Sequence, residues 1–164
     1  KIYPILLKKP QVLRWGLQMI SYSPVLIVEA EYYDEINSEL TAGAKEVLKE
    51  KGIKYKGITV PGVFEIPAAV KMGYETGNFM GFVAIGCVIR GETSHYDYVC
   101  SESARGLNYL AFNYGLAIGY GILTVENMDQ AWARASREKG NKGAMAAATC
   151  IHMMSLREDP AFKV

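Results

Sequence analysis

From Pro24 onward, short unbroken apolar runs alternate with stretches whose apolar residues recur at helical spacing. Val25-Leu26-Ile27-Val28 is the first run, and an unbroken run predicts a parallel strand covered on both faces. Ile36, Leu40, Ala44, Val47 and Leu48 then share one face of a helix, closed by Lys49, Lys51 and Gly52. Tyr55 to Val60 predicts a second strand ended by Pro61-Gly62, and Phe64 to about Met72 a short helix. The third strand is Phe82 to Ile89; the helix after it opens at His95 and carries Leu107, Leu110, Ala111 and Tyr114.

Leu116 to Val125 predicts a fourth strand, and Asn127 with Gln130 has the spacing of a capping box. The helix begun there carries Trp132 and Arg134 and breaks near Gly140. In the last helix Ala144, Ala147, Ala148, Ile151 and Met154 form one stripe, whose small residues predict close packing. Alternation of this kind predicts an α/β three-layer sandwich, a central and mostly parallel four-stranded sheet with helices on both faces. Residues 24–164 read as one domain, and residues 1–23 as a segment of unassigned role. No repeat or low-complexity tract interrupts the pattern.

The 164 residues are half hydrophobic and carry a net charge of +1, so composition points to neither nucleic acid nor a membrane surface. Any anion must therefore be held by a local arrangement. Cys87, Cys100 and Cys150 show no metal or disulfide spacing, which predicts a reducing, cytoplasmic setting. Cys100 follows His95 at an offset that does not share its helix face, so it reads as a structural thiol. The hydrophobic N-terminal stretch is broken by Pro4, Lys8, Lys9, Pro10 and Arg14 and does not read as a signal peptide.

In an open parallel sheet, ligands bind at the carboxyl ends of the strands. This chain places Glu31, Tyr32 and Tyr33 after the first strand and Pro61 to Glu65 after the second. Gly91 to His95 follow the third, and Glu126 and Asn127 the fourth, with Arg134 further along. A glycine-containing polar turn feeding a helix N-terminus is an anion site, and His95 adds an imidazole, the side chain suited to moving protons near neutral pH. The inventory fits a flat polar heterocycle and a phosphorylated partner. Gly119-Tyr120-Gly121 lacks the third glycine of a dinucleotide loop, and no phosphate-loop or nucleophile-elbow pattern occurs.

Four blocks, VPGVFEIPAA (Val60 to Ala69), GCVIRGETSHYDYVCSESARGL (Gly86 to Leu107), GILTVENMDQAWARA (Gly121 to Ala135) and GNKGAMAA (Gly140 to Ala147), give the chain a family likeness. In order and spacing they resemble the 6,7-dimethyl-8-ribityllumazine synthases. The resemblance implies a flavodoxin-like fold. It also implies a transferase of riboflavin biosynthesis, which joins 5-amino-6-(D-ribitylamino)uracil to 3,4-dihydroxy-2-butanone 4-phosphate and releases phosphate and water. That chemistry calls for neither metal nor cofactor. By resemblance, Tyr32 stacks on the pyrimidine, Val63, Phe64 and Glu65 border the ribityl chain, and the backbone at Val88 and Ile89 meets the pyrimidine edge.

His95 corresponds to the proton-transfer histidine, and Arg134 to the phosphate-binding arginine, assisted by the amides of Glu92 and Thr93. Tyr120 and Lys142 correspond to residues supplied across a subunit contact, which implies a homopentamer with its sites between subunits. Residues 1–23 would then be free to pair with a neighbouring subunit. Tyr32 and Tyr120 stand where phenylalanine is frequent, and a phenol still stacks. The turn Ser136-Arg137-Glu138-Lys139 departs from the Gly-Thr-Lys pattern of relatives that build sixty-subunit shells. A non-catalytic flavin carrier or a container are the rival readings; a carrier would be expected to alter His95 or Arg134, and both are present.

Overall fold

A computed structural model describes residues 24–162. Four strands, β1 (Val25–Ala30), β2 (Tyr55–Val60), β3 (Gly81–Ile89) and β4 (Ala117–Val125), form one sheet in the order β2-β1-β3-β4, every pair parallel. The helices are α1 (Asp34–Glu50), α2 (Ile66–Glu75), α3 (His95–Tyr114), α4 (Met128–Ala135) and α5 (Lys142–Glu158). The expected strand–helix alternation is present, now with every strand running the same way.

Each strand divides its side chains between two cores, as the two-residue repeat requires. Val25, Ile27, Val83, Ile85, Leu123 and Val125 are buried under α1, α4 and α5, among them Leu40, Ala131 and Ala147. Leu26, Val28, Phe82, Ala84 and Ile122 are buried on the opposite face, with Ile66, Val70 and Leu107 from α2 and α3. β3 is buried from Gly81 through Cys87, which makes it the spine of the domain.

α5 packs closely, but the stripe that does so is Gly143, Ala146, Ala147, Cys150 and Met154. Of the expected stripe only Ala147 and Met154 are buried, while Ala148 is exposed and Ala144 and Ile151 are half-buried, because the contacts of Gly143 and Ala146 roll the helix toward its neighbours. A methyl group built on Gly119 of β4 would meet the carbonyl carbon of Ala146 at 2.7 Å, with the oxygen nearer still. On the same helix, Gly143 lies so close to α1 that a methyl there would meet the Cα of Leu40 at 2.8 Å. Backbone therefore rests on backbone at both contacts, which only glycine permits.

Two sequence expectations change. The helix expected from Phe64 to Met72 is a 3-10 turn, Val63–Glu65, followed by α2 as far as Glu75. Pro67 lacks an N–H and suits the first turn of a helix, so α2 starts just ahead of it. Its end is set by Thr76, whose hydroxyl donates to the Gly73 carbonyl at 2.7 Å, and by left-handed Gly77 at φ 70°. At α4, the Asn127 side chain accepts from the Gln130 amide at 3.0 Å as expected. The reciprocal bond of a capping box is displaced: Gln130 Oε1 accepts from Glu126 N–H at 3.1 Å, one residue early.

The expected role of residues 1–23 lies outside the described residues. No helix among the described residues is long and apolar enough to cross a membrane.

Candidate active site

The chain leaves β1 for β2 on one side and then crosses back to β3 on the other. Carboxyl ends that diverge in this way open a crevice between the loops after β1 and β3. A cleft of about 450 Å³ lies there, walled by the loops after β1, β2 and β3 and by the first turns of α3. Tyr32, Val63, Phe64, Glu65, Val88, Ile89, Thr93 and His95 all line it, so most of the residues singled out in the sequence meet in one place. Cys87, Tyr96 and Val99 line it too and were not singled out. Val99 lies one helical turn after His95, a spacing that could have indicated it.

Each wall has its own chemistry. After β1, Tyr32 and Tyr33 meet edge to face with ring centroids 6.2 Å apart, and Tyr32 is 72% exposed. This broad aromatic surface is open to a flat ring. After β2, the Glu65 carboxylate lies over Gly62, whose missing side chain leaves it room: a methyl there would come 3.1 Å from Oε2. Cys87, at the end of β3, is held as a neutral thiol, since burial pushes its pKa up to about 11.

The turn after β3 forms the polar wall. Arg90 N–H donates to the Val125 carbonyl at 2.9 Å, which ties the start of the turn to the end of β4. No described carbonyl accepts from the amides of Gly91, Glu92 or Thr93. Thr93 Oγ1 accepts from His95 N–H at 3.3 Å and so orders the entry to α3. These amides and the dipole of a 20-residue helix make the turn receptive to an anion. Glu92 sits on the turn but does not line the cleft.

The Arg90 guanidinium is committed elsewhere. Its Nε donates to Glu126 at 3.0 Å, its Nη2 to Asp97 at 3.2 Å, and its plane stacks 4.0 Å from the Tyr96 ring centroid. Asp97 holds its pKa above the ordinary value. Arg90 thus braces the first turn of α3 against β4 and contributes little free positive charge to the cleft.

Tyr120, Arg134 and Lys142 lie outside this cleft. Tyr120, on β4, has its phenol pKa raised by burial, opposed by a hydrogen bond with Ser103. Arg134 is exposed in the last turn of α4, its Nη1 donating to the Gln130 carbonyl at 3.0 Å. Lys142 opens α5 with Nζ 3.4 Å from the Met145 sulfur. Within one chain, the cleft holds the aromatic surface, the carboxylate, the imidazole and the anion turn.

The sequence profile of 6,7-dimethyl-8-ribityllumazine synthase matches residues 23–158. The chain belongs to this family. It is 50% identical over 139 residues to 6,7-dimethyl-8-ribityllumazine synthase 1 of Rhizobium meliloti (strain 1021), covering 82% of this chain and 91% of that one. The 6,7-dimethyl-8-ribityllumazine synthase of Bartonella bacilliformis is 51% identical over 136 residues, covering 82% and 90%. That of Zymomonas mobilis is 51% identical over 133 residues, covering 81% and 95%.

Proposed function

We propose that the cleft condenses 5-amino-6-(D-ribitylamino)uracil with 3,4-dihydroxy-2-butanone 4-phosphate to give 6,7-dimethyl-8-ribityllumazine, phosphate and water. The chain is a transferase of riboflavin biosynthesis, as its family is. The observation that carries the reading is the meeting of Tyr32, Glu65 and His95 with Gly91 and Thr93, whose amides are open, in one cleft. A pyrimidine stacks on Tyr32 and takes its edge contacts from the backbone of Val88 and Ile89. Its ribityl chain runs past Val63 and Phe64, with Glu65 accepting from its hydroxyls. The phosphate sits on the amides of Glu92 and Thr93.

Joining an amine to a ketone, expelling phosphate and closing a ring each require protons to be taken up and returned. No step changes the oxidation level of the pair as a whole. His95 moves those protons, a role that a positioned imidazole fills at about 10²–10⁴-fold in rate. Arg134 completes the phosphate site, and Tyr120 and Lys142 complete the wall, from the neighbouring subunit of a homopentamer. Supporting this, all three lie outside the cleft of their own chain. The three free thiols fit work in the cytoplasm.

The test mixes purified protein with both substrates and follows lumazine absorbance and fluorescence together with free phosphate. Product formation with stoichiometric phosphate is expected, and no product from folded protein would overturn the reading. Light scattering gives the subunit count, with five or a multiple of five expected.

A further inference from the structure

We propose that Asn37 is a positioning residue that fixes the aromatic surface of the cleft, and through it the affinity for the heterocyclic substrate. The inference rests on the reading of Tyr32 given above.

Asn37 is a fully buried polar side chain on the core face of α1. Its Nδ2 donates to the carbonyl of Ala30 at 2.7 Å and to that of Tyr32 at 2.5 Å. Its backbone N–H donates to the Tyr33 carbonyl at 3.0 Å. One residue therefore holds the last residue of β1 and both tyrosines of the loop. From the other side, Glu31 N–H donates to the Val60 carbonyl at 2.9 Å, so the loop is pinned between α1 and β2.

Two unfavourable features accompany this arrangement. Tyr33 is left-handed, at φ 61° and ψ 53°, a region in which a bulky residue is an outlier. Asn37 Oδ1 is buried with no hydrogen-bond partner, an unsatisfied acceptor that carries a desolvation cost. Both features converge on the segment that presents Tyr32, and strain that persists because its surroundings over-determine it is a mark of functional sites. An amide side chain here supplies what leucine cannot, two donors aimed at two carbonyls. Without them Tyr33 is free to relax, and Tyr32 turns with it.

Asn37→Leu removes both donors while keeping the branched outline of the side chain, and Asn37→Asp, closer in volume, replaces the donor with an oxygen facing the same carbonyls. In each variant the KM for the ribitylaminouracil is expected to rise about tenfold, the scale of a lost hydrogen bond. The KM for the butanone phosphate should stay within about twofold, because its site is on the turn after β3. Fluorescence titration with 6,7-dimethyl-8-ribityllumazine should show the same weakening. In a Tyr32→Ala background, Asn37→Leu should add little, since the surface it positions is already gone.

Equal KM changes for both substrates would overturn the proposal. So would a fall in melting temperature with KM unchanged, an undiminished effect in the Tyr32→Ala background, or failure of both variants to fold. Absence of turnover by the unaltered protein would instead remove the reading of the cleft itself.

Discussion

Gly119→Ala tests whether the seat of α5 on the sheet is as rigid as backbone contact implies. The added methyl would lie 2.7 Å from the Ala146 carbonyl carbon and 3.2 Å from Cys150 Cβ. Carbon atoms prefer about 3.5–4.0 Å, so α5 must retreat by roughly 1 Å. It cannot do so freely, because Gly143 on the same helix rests against the backbone of Leu40. The retreat would loosen Ala146, Ala147, Cys150 and Met154, all buried. Overpacking costs about 1–3 kcal/mol, and with backbone on the far side the upper end applies. At about 2–4 °C per kcal/mol for a domain of this size, the melting temperature should fall by roughly 6–12 °C. Gly57→Ala is the matched control, a strand glycine with nothing within 4 Å of the new methyl, and should shift melting by no more than about 2 °C. Circular dichroism melts at one protein concentration decide the matter, since assembly would make melting concentration-dependent. Equal melting of the two variants would show that α5 yields without cost and would refute the reasoning.

Three further predictions concern the site. Arg134→Ala should raise the KM for the butanone phosphate more than for the pyrimidine, and Arg134→Lys should restore it only in part, because a lysine lacks the paired donors of a guanidinium; equal losses for both substrates would remove Arg134 from the phosphate. If His95→Ala and Arg134→Ala proteins are unfolded together in equal amounts and reassembled, a site shared between subunits regains about a quarter of wild-type activity, one half multiplied by one half. No recovery in confirmed mixed assemblies would place both residues in one chain's site. Burial raises the Cys87 thiol to about 11, so the group stays protonated and neutral until pH climbs toward that value. The activity profile of Cys87→Ser from about pH 6 to 9 should therefore superimpose on that of the wild type, whereas a lost alkaline limb would show that the thiolate participates.

The strands were legible because a strand covered on both faces must be apolar throughout, and Val25–Val28 and Phe82–Ile89 are. Parallel connection then places the loops after the strands at one edge, which is why Tyr32, Glu65, Thr93 and His95 group together from the sequence alone. Val99, one turn beyond His95, shares its face and was legible in the same way; Tyr96 was not, since it is adjacent to His95 and its turn toward the cleft depends on how the helix rolls on the sheet. The start of α2 was misjudged because Phe64 and Glu65 suit a helix locally, while Pro67 governs where the regular turns begin. Asn37 left no trace: a polar residue beside Ile36 in a helix reads as solvent-facing, and its inward rotation is set by carbonyls of a loop whose path the sequence does not reveal. The left-handed turn at Tyr33 was hidden for the same reason.

β3 has a consequence for how the cleft moves. Its amides from Gly81 to Ile85 lie buried between β1 and β4, and pairing with β4 alone carries the strand on to Cys87, Val88 and Ile89 at the cleft. In deuterated solvent those amides should exchange only when the whole domain opens, while those of the exposed Gly91–Ser94 turn exchange through local fluctuation. The two ends of one small cavity then operate on different clocks. If the substrates lie as proposed, the ring rests on a fixed floor and the phosphate on a turn that moves independently of it.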